Sequence, residues 1–154
     1  MSKYYKGKEI FRSEEDAVMK LEYDIAKDDF SKAGKASSNV KKVLKQLGID
    51  QAVIRKVAIA TYEAEINVVI HSLGGHIDVL IKNDKIEVYV SDNGPGIADV
   101  DMAMTEGFST ATHKVRELGF GAGMGLPNIQ RCSDEFYLNS ATGESTKVKM
   151  VMFL

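Results

Sequence analysis

Four stretches of this 154-residue chain carry residues whose types and spacing suit chemistry. The first is Ser91-Asp92-Asn93-Gly94-Pro95-Gly96-Ile97, which follows the alternating run Ile86-Glu87-Val88-Tyr89-Val90. Such alternation reads as a half-buried strand. Asp92 shares the parity of Ile86, Val88 and Val90, so its carboxylate points toward the buried side. An isolated buried charge is costly, so this carboxylate needs a hydrogen-bonding partner. Gly94 and Gly96 permit a tight turn and a close approach to the backbone. The expectation is a small-molecule pocket at the strand's end, against the plainer alternative of a surface turn with a solvated Asp92.

The second stretch is a helix over roughly 51–73, capped by Asp50 and ended by Gly74-Gly75. Val53, Ile54, Val57, Ile59, Ala60, Ala64, Ile66, Val68 and Ile70 make it apolar over much of its surface, so it is expected to be buried on several sides. Its polar residues therefore call for an explanation. Glu63, Asn67 and His71 are spaced i, i+4, i+8, which puts them along one face, each about 40° round from the last. Glu65 points about 200° away from Asn67 and is expected to face solvent. His71 also has a structural reading, since a histidine near a helix C-terminus favours the dipole.

The third stretch is the glycine run Gly119-Phe-Gly121-Ala-Gly123-Met124-Gly125, followed by a helix start near Leu126 that Pro127 suits. Exposed N–H groups and a positive helix end together favour an anion, phosphate above all. No Gly-Lys-Ser/Thr follows, so this is not a Walker A loop. An early strand-to-helix turn with an acid about 20 residues on is missing too, which excludes the Rossmann fingerprint. Asp92-x-Gly94-x-Gly96 imitates a methyltransferase loop, but it stands centrally and leads into a short helix and a long loop. The fourth element is Thr146, a polar group on the parity of Val148, Met150 and Met152 in a closing strand.

The elements that must position these residues follow from periodicity. Residues 1–12 suggest a loose arm or an edge strand, with the arm extending to about residue 17 at most. Leu21, Tyr23 and Ile25 alternate in a strand near 18–27. Phe30, Ala33, Val40, Val43, Leu44 and Leu47 recur at helical spacing from a cap at Asp28 or Asp29, with Gly34 inside the helix and Gly48 as its stop. Strands Ile77–Ile81 and Ile86–Val90 flank a turn at Asn83-Asp84. A short helix over 99–105 and a loop over 106–124 come next, and a loop of that length commonly signals function. A helix to about Ser133 and two strands, near 135–140 and 145–153, close the chain.

The length suits one domain over 1–154. Twenty basic and 22 acidic residues give a net charge of -2, which does not support a direct nucleic-acid binder. Cys132 is the single cysteine, so neither a disulfide framework nor a cysteine metal cluster is available. The N-terminus lacks an apolar signal core, and no uncharged run approaches the ~20 residues of a membrane span. A cytoplasmic protein is the expectation.

The order of the pieces is more specific than any one of them. Glu63-Ala-Glu-Ile-Asn67-Val-Val-Ile-His71, Asp92-Asn-Gly-Pro-Gly-Ile97, Gly107-Phe-Ser-Thr110 and Gly123-Met-Gly-Leu126 together resemble the GHKL (Bergerat-fold) ATPase and kinase superfamily. Within it, the chain looks most like the bacterial anti-sigma-factor and switch-protein serine/threonine kinases, over about residues 18–154. The resemblance implies an α/β (α+β) two-layer sandwich, with a mixed, mostly antiparallel sheet and helices on one face. It implies ATP and Mg²⁺ as cofactors, with Asn67 holding the metal through its side-chain oxygen, a hard ligand for a hard cation. Glu63 would orient or deprotonate the attacking hydroxyl. Asp92 would accept from the adenine amino group, Gly94, Gly96 and Ile97 would let the ring lie against the backbone, and Thr146 would join these contacts.

The resemblance further implies that Gly121, Gly123, Met124, Gly125 and Leu126 form the phosphate loop and that Ser109 and Thr110 belong to a lid. His71 would stand on the nucleotide side of its helix, and the roles of Lys114 and Arg116 stay open. Many relatives carry Gly-x-Gly-Thr at the last motif, where this chain has Gly143-Glu-Ser145-Thr146. The function implied is an ATP-dependent serine/threonine protein kinase of a partner-switching system acting in transcription regulation. Its partners would be ATP/ADP and a small protein, either an anti-sigma antagonist-like domain or a sigma factor, with homodimerisation open. The rival is an ATP-gated protein-binding module without phosphoryl transfer, and a retained Glu63 favours catalysis.

Overall fold

The computed structural model describes residues 2–27, 29–71, 73–94, 104, 125–140 and 145–154, and of His71 the backbone alone. The expected helix over 99–105 and the loop over 106–124 lie outside the described residues, apart from Met104. Six strands, β1 (Lys3–Lys6), β2 (Ala17–Ile25), β3 (Gly75–Lys82), β4 (Lys85–Asp92), β5 (Glu135–Asn139) and β6 (Lys147–Phe153), form one sheet in the order β1-β5-β6-β4-β3-β2. β1 pairs parallel with β5 and every other pairing is antiparallel. Helices α1 (Lys35–Gln46), α2 (Gln51–His71) and α3 (Gly125–Cys132) complete a mixed α/β architecture. This is the fold class expected from the sequence.

Alternation along the strands decides which side chains meet the helices. Ile77 and Val79, Ile86 and Val88, Phe136 and Leu138, and Met150 and Met152 form one core with Val40 and Leu44 of α1, Val57 and Ala60 of α2, and Ile129 of α3. α2 packs against α1 and α3 and reaches the sheet, and this explains why its apolar residues run round most of its surface.

Two local expectations change. The helix expected from residue 30 is broken at Gly34, with a short 3-10 turn over Phe30–Lys32 before it and α1 after it. Gly34 has φ 93°, a left-handed conformation that a side chain disfavours, and the Tyr62 ring lies 3.4 Å from where a Cβ would stand. Glu65 is not a solvent-facing acid: it is 2% exposed. Its Oε2 accepts from the Ala36 N–H at 3.2 Å and its Oε1 from the Ser37 N–H at 3.3 Å. A helix leaves its first N–H groups without intrahelical acceptors, and Glu65 of α2 supplies them for α1. Burial pushes the Glu65 carboxyl up, and these N–H donors partly oppose that.

Residues 1–12 contain an edge strand, β1, and the sheet order dictates what comes next. β1 and β2 stand at opposite edges, so the chain between them must cross the sheet, held by a backbone bond to β5 and by side chains of β3, β4 and β6. The Gly7 N–H donates to the Leu138 carbonyl, and the Tyr89 hydroxyl and Lys149 ammonium donate to the Phe11 carbonyl at 3.1 and 3.2 Å. Arg12 pairs with Asp78, which is 5% exposed. Beside it, His76 places Nδ1 2.7 Å from Asp24 and Nε2 2.7 Å from the same Asp78.

With a carboxylate at each ring nitrogen, the doubly protonated imidazolium satisfies both contacts. The Asp24 bond raises the His76 pKa most; burial opposes it, and Asp78 adds to the rise. A raised folded-state value means that the stabilisation is fully present below the ordinary 6.5 and is lost as pH climbs through the folded value. Denaturant unfolding of wild type and His76→Gln from about pH 5 to about pH 9 tests this. The stability advantage of wild type is expected to be largest at the acid end and to shrink above pH 6.5; a pH-independent difference would contradict it.

Candidate functional site

Asp92 ends β4, and both its backbone and its side chain engage Thr146, just before β6. Its N–H donates to the Thr146 carbonyl at 3.0 Å, and its Oδ1 accepts from the Thr146 N–H at 2.9 Å and the Gly94 N–H at 3.0 Å. The half-buried carboxylate thus finds partners in the chain's own backbone, as a strand-end aspartate turning into a glycine readily does. The Thr146 side chain, 9% exposed, shares a 2.7 Å hydrogen bond with the Ser140 hydroxyl. Asp92 and Thr146, 54 residues apart, therefore form one polar cluster at the sheet's end.

Gly74 and Gly75, read from sequence only as a helix stop, hold this cluster against α2. Gly75 pairs with Asp92 across β3 and β4. A Cβ on Gly75 would stand 2.6 Å from the Ser91 carbonyl oxygen, 3.0 Å from Val68 Cγ1 and 3.1 Å from Asp92 Cα. Only a residue without a side chain lets α2 and the end of β4 approach this closely. Val68 adjoins Asn67, so this contact fixes where the polar face of α2 stands relative to Asp92. The preceding Gly74 has φ 106° and accepts the Asn93 N–H at 2.9 Å.

The other side of α2 meets α3. A Cβ on Gly125, the first residue of α3, would lie 3.0 Å from Asn67 Nδ2 and 3.1 Å from its Oδ1. One turn earlier on α2 and one turn later on α3, Asn128 Nδ2 donates to Glu63 Oε1 at 3.4 Å. Pairing 67 with 125 and 63 with 128 makes the two helices antiparallel along this seam. Glu63 and Asn67 are half-buried and share one face of α2, as the i, i+4 spacing predicted, and that face meets the start of α3. Leu126 is partly buried against the core. Burial is the main cause pushing the Cys132 thiol up; Lys56 and Arg131 act against it and the nearby Glu63 carboxylate adds to it.

The structure thus brings Glu63, Asn67 and Gly125 together, and separately Asp92, Gly94 and Thr146. Gly96, Ile97, Ser109, Thr110, Gly121, Gly123 and Met124 lie outside the described residues, as do Lys114, Arg116 and the His71 side chain. The arrangement fits a nucleotide and its metal: Asn67 offers a hard amide oxygen beside a glycine at a helix N-terminus, and a carboxylate fixed by backbone donors stands at the sheet's end. Sequence reasoning missed Gly75, Asn128, Ser140 and the role of Glu65. The Gly-Gly pair was a usable signal for the first and the i+3 spacing from Gly125 for the second; Ser140 carried none. A cleft of about 620 Å³ also opens beside β2, lined by Tyr23, Asp24, Lys32, Lys35 and Glu65 among others, and brings none of Glu63, Asn67 and Asp92 together.

Comparison with known proteins identifies the family to which the chain belongs. Residues 27–152 match the family described as Histidine kinase-like ATPase domain. The serine/threonine-protein kinase RsbT of Bacillus subtilis is 34% identical over 119 residues, 73% of this chain and 81% of that protein. The anti-sigma F factor of Caldanaerobacter subterraneus subsp. tengcongensis is 33% identical over 106 residues, 66% of this chain and 71% of that protein. An anti-sigma F factor from a Thermoanaerobacter species is 32% identical over the same length.

The Gly125–Asn67 contact has a consequence that needs no ligand. Gly125 is a helical position, where alanine would ordinarily be favoured over glycine. Its methyl would instead press on the Asn67 amide, an overpacking that costs about 1–3 kcal/mol. Gly125→Ala is expected to destabilise wild type and to be neutral or stabilising in an Asn67→Ala background. Equal effects in both backgrounds, measured by urea unfolding, would show that the two residues do not touch.

Proposed function

The chain belongs to the histidine kinase-like ATPase family, and we propose that it is an ATP-dependent serine/threonine protein kinase that binds and switches a small regulatory protein. The observation that carries this reading is the pairing of Glu63 and Asn67, one turn apart on α2, with both side chains at the start of α3. A family member that only held nucleotide would need the asparagine and not the acid. A kinase needs both, one to hold a phosphate-bound cation and one to manage a hydroxyl proton.

In this reading Asn67 is the protein's ligand to Mg²⁺, and Gly125 with the glycines before it lets backbone N–H groups reach the phosphates. Bound Mg²⁺ supplies neutralisation of phosphate charge. Asp92, its Oδ1 held by the Thr146 and Gly94 N–H groups, presents its carboxylate to the adenine amino group. Thr146 and Ser140 line the same end. Glu63 takes the proton from a partner serine or threonine hydroxyl as that oxygen bonds to the γ-phosphorus. The bond from the γ-phosphorus to the bridging oxygen breaks, and ADP leaves with that oxygen. His71, Gly96, Ile97, Ser109 and Thr110 keep the nucleotide-side and lid roles that the family resemblance implies.

The partner proposed is a small anti-sigma antagonist-like domain or a sigma factor, and the setting is regulation of transcription in the cytoplasm. Support comes from the names of the relatives, a serine/threonine-protein kinase and anti-sigma F factors. Among the described residues, no helix is long and apolar enough to cross a membrane. The second reading, nucleotide-gated binding without transfer, draws on the anti-sigma names alone.

Transfer of label from γ-³²P-ATP to small serine-containing domains encoded beside this chain separates the two. Glu63→Gln is expected to keep ATP binding and to lose roughly 10²-fold or more in transfer rate, the usual contribution of a general base. A Glu63→Gln protein as fast as wild type would overturn the assignment of the base. Wild type that binds both ATP and the partner yet never labels it would leave the binding-module reading standing instead.

A further inference from the structure

The α2–α3 seam contains a polar group that the proposed reaction does not use, the side-chain amide of Asn128. Its Nδ2 donates to Glu63 Oε1 at 3.4 Å, and its Oδ1 accepts from Arg131 Nη1 at 3.0 Å. These two bonds are not interchangeable. A guanidinium only donates, so the end of the amide that faces Arg131 must be the oxygen. An ionised carboxylate only accepts, so the end that faces Glu63 must be the nitrogen. The orientation of the amide, commonly ambiguous, is dictated here by its two neighbours.

Glu63 needs such a restraint. Its side chain has three rotatable bonds and is half-buried, and a base must hold its oxygen within hydrogen-bonding reach of the proton it takes. Holding one oxygen with a donor leaves the other to face the substrate. Asn128 lies one turn beyond Gly125, so the helix that touches Asn67 at its first residue touches Glu63 at its fourth. We propose that Asn128, oriented by Arg131, is the positioning residue for Glu63, so that α3 sets the metal ligand and the base in register with each other. This rests on the kinase reading of Glu63.

Two measurements on the full-length protein test it and fail separately. The first needs no activity: the side-chain amide protons of Asn128, assigned by ¹H–¹⁵N NMR through their loss in Asn128→Leu, should shift when Glu63 is changed to Ala. The second is a double-mutant cycle on phosphoryl transfer. Asn128→Leu should lower kcat about tenfold with the KM for ATP unchanged, the scale of one lost hydrogen bond. In a Glu63→Gln background it should have no further effect, because the group it positions is already gone. Arg131→Leu should move kcat in the same direction by less, since that residue is exposed.

An Asn128 amide indifferent to Glu63 overturns the inference. So does an Asn128→Leu effect of the same size in both backgrounds, which is what a merely structural role would give. If the amide responds and wild type labels no partner, the contact is real but the kinase reading falls, and the positioning role falls with it.

Discussion

A charged or amide side chain withdrawn from water, wholly or in part, must find donors or acceptors within the fold. α2 carries three such residues among its apolar ones, and their contacts arrange α1 and α3 about it. Glu65 takes the N–H groups at the start of α1, and Asn67 lies against the first residue of α3, next to Glu63 with its Asn128 donor. The two neighbouring helices each bring their N-terminal end to a polar residue of α2. Burial of Val57, Ala60, Ala64 and Val68 supplies the attraction. The polar contacts decide at which height along α2 each neighbour stops.

The same logic explains the separation of the two polar clusters. Asp92 and Thr146 belong to the sheet, Glu63 and Asn67 to the helices, and the layers could slide over one another if only apolar contacts joined them. Gly75 prevents this by letting Val68 and the end of β4 approach to distances that any side chain would block. In the proposed reading, a ligand spanning from Asp92 to Gly125 would find that spacing set before it arrives. Less ordering then remains to be done on binding.

Much of the fold was legible because period and parity are local properties. Ile86 to Val90 read as a strand and the i, i+4 spacing of Glu63 and Asn67 placed them on one face, both as found. What periodicity does not contain is the neighbour. Glu65 was correctly turned away from Asn67, but a helical wheel cannot say that α1 starts there, so a buried capping carboxylate was taken for a solvated one. The strap from β1 to β2 was likewise invisible, because it follows from the two strands lying at opposite edges of the sheet. Asp92 was read as needing a hydrogen-bonding partner, and the Thr146 and Gly94 N–H groups that serve its Oδ1 are neighbours that parity alone does not name. The family resemblance supplied candidate roles that no single spacing could, and the Gly125–Asn67 contact is the structural feature that most specifically accompanies them.

The central claim is that Asp92 is a nucleotide-recognition carboxylate and not only a strand-end cap, and a calorimetric titration with Mg-ATP addresses it directly. Asp92→Asn keeps an oxygen to accept the Thr146 and Gly94 N–H groups, so the fold should persist, while one acceptor toward the ligand becomes a donor. Wild type should bind saturably, and Asp92→Asn should bind about 10- to 100-fold more weakly, the scale of a lost charge-assisted hydrogen bond. Equal affinity in a folded Asp92→Asn protein, or no binding by folded wild type, would contradict the account.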